Sequence, residues 1–189
     1  MSRLFLFILV KIVNGIYSNE IGRRILSKDV ELRTMQKEMK QIFVDGDSCP
    51  VVKEIISAAS RYSVQVTFVS SYAHVRKEDF PPLVKQIFVD QDREAADLKI
   101  ANLVHSGDLA VTDDLGLSSL LLAKGVLILT SRGKWITNHN IDYLLDSRYR
   151  SAKQRRAGGK SKGPKKLTEQ DRENFLKELE KILSIKQDF

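Results

Sequence analysis

The chain has 189 residues, of which 42% are hydrophobic and 29% are charged, so it can bury one sizeable core and is neither a disordered chain nor a large multidomain assembly. Its 31 Lys and Arg residues exceed its 24 Asp and Glu residues by seven, which leaves a net charge of +7. The single cysteine, Cys49, excludes an internal disulfide framework and a cysteine-cluster zinc site, and it is compatible with a cytoplasmic location.

Residues 1–38 begin with an apolar run, Leu4–Val10. Even if it extends to Tyr17, this run is shorter than the about 20 residues of a membrane-spanning helix. No small-x-small cleavage site follows, so we expect neither stable membrane insertion nor secretion. We interpret residues 1–38 as an extension produced by a start site placed too early, with Met35 or Met39 as the internal start. A weak amphipathic contact with a membrane or a partner is the alternative.

After Gln41, short β-branched or aromatic runs alternate with helical stretches, which is typical of an α/β domain. The predicted strands are Ile42–Val44, Val64–Val69, Gln86–Val89, Leu109–Thr112 and Val126–Leu129. The predicted helices are Val51–Arg61, Glu94–His105, Leu117–Lys124 and Asn138–Arg155. The strands are too apolar to be half-exposed, so we expect a mostly parallel sheet with helices on both faces. This α/β domain spans residues 39–156.

The remaining residues, 157–189, predict a basic linker and one more helix. Thr168 to Asp171 matches a capping box at the start of a helix. Five apolar side chains then recur at helical spacing and form a single stripe, which must dock on another surface. They are Phe175, Leu176, Leu179, Ile182 and Leu183.

Acidic residues follow three of the predicted strands. The carboxyl ends of parallel strands line one edge of a sheet, so we expect these carboxylates to converge there. Converging carboxylates repel one another, and a hard divalent cation such as Mg²⁺ or Mn²⁺ would compensate them. The acids are Asp45 and Asp47, Asp90 and Asp92, and Asp113 and Asp114, together with Glu94 and Asp97 at the start of a helix.

Helix capping is the alternative role for these acids. Asp47 or Ser48 would cap the helix that opens at Pro50, and Asp113 or Asp114 would cap the helix at Leu115. For any single acid, capping is at least as good an interpretation as a site. The joint placement of three acids on different elements favours a site, and these are Asp45, Asp97 and Asp114. For the histidines, which show no zinc-ligand spacing, we expect structural or solvent-facing roles; they are His74, His105 and His139.

Several segments resemble the bacterial YaiI/YqxD family, in the order in which the family has them. The resemblance covers Met39 to Leu183. The family is grouped with PIN-like domains, whose established members are metal-dependent ribonucleases, so the resemblance implies a PIN-like fold. The segments are Ile42–Pro50, Ala95–Ile100, Gly107–Asp114, Ser131–Gly133, Gly163-Pro164 and Asp171-Arg172.

The same resemblance assigns roles to individual acids. Asp45 and Asp47 match the paired aspartates after the first strand, Asp97 matches the helix aspartate, and Asp114 matches the aspartate of the Thr-x-Asp motif. The acid that precedes the helix aspartate by three positions is Glu94. Leu98 stands where the family usually has Asn. The side chain of Leu98 cannot bind a metal ion, so this difference argues against the family's second metal position here.

The leading hypothesis is therefore a metal-dependent phosphodiesterase, most simply an RNase-type nuclease. Asp45, Asp97 and Asp114 would hold one Mg²⁺ or Mn²⁺, and Asp47, with Glu94, would complete the shell or support a second ion. Nine basic residues and no acidic ones lie between Arg148 and Lys166, which indicates a polyanion partner such as RNA or, equally, a solvated segment. The predicted phosphate contacts are Arg132, Arg148, Arg150, Arg155 and Arg156.

Two other functions stay open at this point. A phosphatase of the haloacid dehalogenase type would use Asp45 as a covalent nucleophile, but Cys49 replaces the usual Thr or Val and Pro50 leaves no room for a flap hairpin. A non-catalytic RNA- or ribosome-associated protein would use the basic segment alone.

Overall fold

A computed structural model describes residues 41–47, 49–74, 80–92, 94–158 and 165–185. The predicted N-terminal extension, Ser48 and most of the predicted basic linker lie outside these residues. Every described element belongs to one unit of the chain, Glu38–Phe189.

The core of this unit is a six-stranded sheet in the order β3-β2-β1-β4-β5-β6. The first five strands are parallel, and β6 runs antiparallel to β5, so the predicted mostly parallel α/β fold is confirmed. The strands are β1 Ile42–Asp45, β2 Val66–Ser71, β3 Val84–Val89, β4 Leu109–Val111, β5 Leu127–Leu129 and β6 Trp135–Ile136.

Five helices in the described part of the chain accompany the sheet, and all five were predicted within a few residues of their ends. They are α1 Val52–Tyr62, α2 Ala95–Leu103, α3 Leu115–Leu122, α4 Ile141–Arg156 and α5 Glu169–Ile185. A short 3₁₀ helix, Tyr72–His74, follows β2. Within the part of the chain that is described, no helix is both long and apolar enough to cross a membrane.

The helices cover the two faces of the sheet with separate apolar clusters. On one face, α1 and α5 pack over the central strands, with Ile55 of α1 and Phe175 of α5 fully buried. On the other face, α2, α3 and the start of α4 contribute Ile100, Leu121 and Ile141. The C-terminal helix therefore docks as expected, and its place is against α1.

The strand order places a topological switch point between β1 and β4. The chain moves from β1 through β2 to β3, and it then crosses back to β4 on the other side of β1. In open α/β sheets the crevice at the carboxyl ends of the two strands beside such a point is the usual ligand site. Asp45 ends β1, and Asp113 and Asp114 follow β4, so these acids flank that crevice.

Candidate functional site

A hydroxyl group joins the ends of β1 and β4 across the switch point. The Thr112 hydroxyl donates to Asp45 Oδ2 over 3.1 Å, and it accepts from the backbone N–H of Asp114 over 3.0 Å. Burial raises the pKa of Asp45, and the charges of Asp47 and Asp114 raise it further. The hydrogen bonds from Thr112 and from the Asp47 backbone offset only part of this rise. Asp45 is thus a partly buried carboxyl whose orientation is fixed by its neighbours.

Asp114 caps α3 and also faces a cation. Its Oδ1 accepts from the N–H groups of Gly116 and Leu117 at 2.6 and 3.1 Å, so the capping interpretation is confirmed for this acid. Its Oδ2 lies 3.5 Å from Arg148 Nη1 on α4. One oxygen of Asp114 therefore fixes the side chain, and the other meets a guanidinium group.

Asp113 has a different role, although it is the adjacent residue. Its carboxylate accepts hydrogen bonds from the backbone N–H of Ser131, at 3.0 Å, and from the Ser131 hydroxyl. Asp113 thus ties the end of β4 to the turn that precedes β6. The capping alternative is wrong for Asp113.

The pKa of Asp97 is affected by acids from several elements. It lies in the first turn of α2, and burial together with four neighbouring carboxylates raises its pKa to about 6. Burial is the larger cause, and the nearby like charges add to the rise because they disfavour the ionised form. In decreasing order of effect, the four neighbours are Asp45, Asp114, Glu94 and Asp47.

Asp47 forms a small hydrogen-bonded group with Ser71 and His74, a contact that the sequence did not predict. Its Oδ1 accepts from the Ser71 backbone N–H at 2.7 Å and from the Ser71 hydroxyl at 3.3 Å. His74 Nδ1 lies 3.0 Å from that hydroxyl and 3.4 Å from Asp47 Oδ1. Among the described residues none caps α1 with its side chain, so the capping interpretation is wrong for Asp47, whereas Ser48, the alternative cap, lies outside the described residues. His74, for which a structural or solvent-facing role was expected, lies at the acidic edge.

The predicted phosphate-binding arginines lie in different surroundings. Arg132 contacts Asp171 and the backbone carbonyl of Lys165, so its guanidinium helps to hold the start of α5. Arg148 meets Asp114 at the acidic edge. The other three are exposed on the last turns of α4, and they are Arg150, Arg155 and Arg156.

The donor chemistry of the acidic edge fits a hard divalent cation, because every candidate ligand is a carboxylate and the acids repel one another. The distances between these carboxylates, however, do not yet form a complete metal site. Within the described residues, no group of three or more Asp, Glu, His or Cys side chains is arranged to hold a metal ion. At least one carboxylate would have to move for a single ion to be shared.

The chain matches the model of a protein family over residues 43–185, and that family is described as "Uncharacterized BCR, YaiI/YqxD family". The chain belongs to the YaiI/YqxD family. The resemblance inferred from the sequence motifs is therefore confirmed, and the matched region contains β1 apart from Ile42, every acid of the edge and α5.

Curated relatives of this YaiI/YqxD chain carry the name UPF0178 protein. The protein of Bacillus pumilus (strain SAFR-032) is 49% identical over 148 residues, which are 78% of this chain and 89% of the relative. That of Halalkalibacterium halodurans is 50% identical over 76% of this chain and 90% of its own length. That of Enterococcus faecalis is 46% identical over 74% and 94%. No solved structure matches the chain.

Proposed function

We propose that this protein is a metal-dependent phosphodiesterase of the RNase type. The observation that carries the proposal is the placement of Asp45 at the end of β1 and Asp114 after β4, where the Thr112 hydroxyl is hydrogen-bonded to both residues beside the switch point. Acids that lie together at a switch point can bind a divalent cation, and the cation can then bind a phosphate group of the substrate. The membership of the chain in the YaiI/YqxD family, which is grouped with PIN-like domains, supports the same function.

In this proposal Asp45, Asp97 and Asp114 would hold the cation, and Asp47 and Glu94 would flank it. When bound, Mg²⁺ or Mn²⁺ supplies a water of lowered pKa and neutralises charge that develops on the phosphate. Thr112 keeps Asp45 in place through its hydroxyl, and the N–H groups at the start of α3 keep Asp114 in place. These contacts fix two of the three carboxylates before a substrate arrives.

Arg148 supplies the positive charge that an RNA phosphate would need beside these acids. Its guanidinium already lies at Asp114, on the exposed side of the edge. A phosphate that approached the acids would meet this group, which can donate two parallel hydrogen bonds to it. Arg148 is thus the one predicted phosphate contact that the proposal places at the reaction.

The described chain favours this function over the phosphatase alternative. Only residues 46–51 separate β1 from α1, a connection too short for a flap hairpin after the nucleophile position. Both oxygens of Asp113 accept hydrogen bonds from Ser131, so this acid serves the turn instead of a metal ion.

The test is cleavage of a fluorophore-labelled single-stranded RNA with added Mn²⁺ or Mg²⁺, combined with calorimetry of Mn²⁺ binding. We expect wild-type protein to cleave, and we expect Asp45→Asn and Asp97→Asn to lower the rate at least about 100-fold and to weaken Mn²⁺ binding. The control is Asp142→Asn, which removes an exposed acid at the start of α4 and should leave both unchanged.

Three results would contradict the proposal. Wild-type protein that binds RNA without cleaving it would favour the non-catalytic RNA-binding function. Release of phosphate from a phosphomonoester through a covalent adduct on Asp45 would favour the phosphatase. Mn²⁺ affinities that are equal in wild type and both variants would show that these acids are not the ligands.

A further inference from the structure

An exposed aromatic ring lies at the same edge of the sheet as the acids. Tyr72 is 59% exposed, although its ring stacks on that of Phe88 with centroids 5.9 Å apart and planes 25° from parallel. One face of the Tyr72 ring is therefore supported by a second ring. A flat and supported ring of this kind loses little entropy when another flat group stacks on it.

The support beneath Tyr72 continues into the core. Phe88 is paired in register with Ser70 of β2. Deeper along β2, the buried Phe68 stacks on Phe80, with centroids 5.6 Å apart. Because alternate residues of a strand share a face, Phe68 and Phe88 lie on the face that α1 and α5 cover. The ring of Tyr72 is thus positioned by the sheet as well as by its own loop.

Tyr72 is also linked to the acidic edge through its neighbour in the chain. Ser71 donates its backbone N–H and its hydroxyl to Asp47, and Tyr72 is the next residue. Asp45 ends β1 and lies two residues after Phe43, so the two residues share a face of the sheet. This is the face opposite to that of Phe88, because Phe43 packs in the cluster formed with α2 and α3. A strand of RNA that crosses this edge would present its phosphate to the acids on one side and a neighbouring base to Tyr72 on the other.

We propose that Tyr72, supported by Phe88, is a stacking site for an unpaired nucleobase beside the acidic edge. A single exposed tyrosine is common on protein surfaces and needs no ligand to explain it. Here the exposed ring is preorganised by a second ring and stands one residue from a side chain that binds Asp47. The inference rests on the proposed function, because that function supplies the RNA.

The experiment measures binding separately from cleavage. A short oligouridylate that contains one 2-aminopurine is titrated with protein in Ca²⁺, another hard divalent cation that carboxylates bind. Its anisotropy and the quenching of 2-aminopurine are recorded, and a gel confirms that the oligonucleotide stays intact. Loss of a stacked base by substitution typically weakens binding about 5- to 150-fold. We expect a loss in this range for Tyr72→Leu, together with loss of the quenching, whereas Tyr72→Phe should stay within about two-fold of wild type.

The matched control is Tyr143→Leu. Tyr143 is 69% exposed and lies five residues before Arg148 on α4, so it projects about 140° around the helix axis from that arginine. We expect no change in affinity from this substitution. Replacing the 2-aminopurine by an abasic site should weaken wild-type binding and abolish the difference between wild type and Tyr72→Leu.

Several results would overturn the stacking site. They are unchanged affinity and quenching in Tyr72→Leu, an equal loss with the abasic oligonucleotide, or no affinity of wild type for the single strand. If Tyr72→Leu unfolds, the quenching of 2-aminopurine by wild type and by Tyr72→Phe is the deciding measurement. Stacking on the ring at position 72 requires quenching by both proteins, and its absence from either would overturn the stacking site. Protein that binds through Tyr72 and never cleaves RNA would keep this inference and refute the proposed nuclease.

Discussion

Gly133 lies where the turn before β6 touches α5. Its φ of +70° belongs to the left-handed region, and a Cβ on its backbone would lie 2.7 Å from the backbone carbonyl atoms of Asn174 and from the N atom of Phe175. No Cβ fits at that distance from backbone atoms. The sequence shows Gly133 only as part of a family motif, and the structure gives the physical reason for a glycine there.

We predict that Gly133→Ala destabilises the protein by at least about 3 kcal/mol, because it adds a backbone clash to the cost of a left-handed φ. The control is Gly158→Ala, since Gly158 has a φ of +81° but nothing within 4 Å of its Cβ position. That variant should lose only about 1 to 2 kcal/mol. Urea unfolding of both variants measures the difference, and equal losses would show that α5 yields easily at this contact.

Single residues also show how far the sequence could define the candidate site. It identified the acids at the strand ends, because parallel topology brings those ends together whatever the side-chain detail. It could not decide whether Asp113 or Asp114 caps α3, since the hydrogen bond that engages Asp113 joins it to Ser131, 18 positions away. The place of His74 depends in the same way on Asp47, which is far from it in sequence.

At the scale of elements, the main helix-to-helix contact of the described chain is that of α5 with α1. Its apolar stripe packs on α1. Polar contacts flank this stripe: Arg172 Nη1 donates to Glu54 Oε1 at 2.7 Å, and the Trp135 indole N–H donates to Glu178 Oε2 at 2.7 Å. The helix therefore belongs to the same folding unit as the sheet.

We predict that Phe175→Ala lowers the free energy of unfolding by about 3 to 5 kcal/mol, as for other fully buried large side chains. The loss should appear in one transition that includes the sheet, measured by far-UV and near-UV circular dichroism together. Lys177→Ala, at an exposed position of the same helix, should change the stability by less than about 0.5 kcal/mol. An early, separate transition for α5 would contradict a shared core.

Each element that the sequence missed or misplaced has its own physical cause. Strand β6 has only two residues, Trp135 and Ile136, and two residues are too few to show an alternating pattern. Helix α3 begins two residues before its predicted start, because Asp114 caps it. The edge strand β3 is only partly buried, although its apolar sequence predicted full cover, because an edge strand has a neighbour on one side only.

At the scale of the whole molecule, an acidic edge lies beside a basic helix. Arg148 joins the two by its contact with Asp114. Successive residues of an α-helix are about 100° apart, so Arg155 projects within about 20° of Arg148, whereas Arg150 projects about 200° away from it. The basic residues of α4 therefore do not form one patch, and Arg155 shares the side of the helix on which Arg148 meets Asp114.

This division predicts which arginines hold RNA. The variant Arg148→Ala/Arg155→Ala should weaken binding to every single-stranded RNA and flatten the plot of log affinity against log salt by about 1.4, at about 0.7 for each phosphate that is no longer neutralised. Arg150→Ala removes a like charge from the other side of α4 and should leave the slope nearly unchanged. Filter binding at several salt concentrations measures both, with thermal unfolding as a check on folding. If Arg150→Ala changes the slope as much as either arginine of the pair does, the RNA follows the charge of α4 as a whole and not the face that meets Asp114.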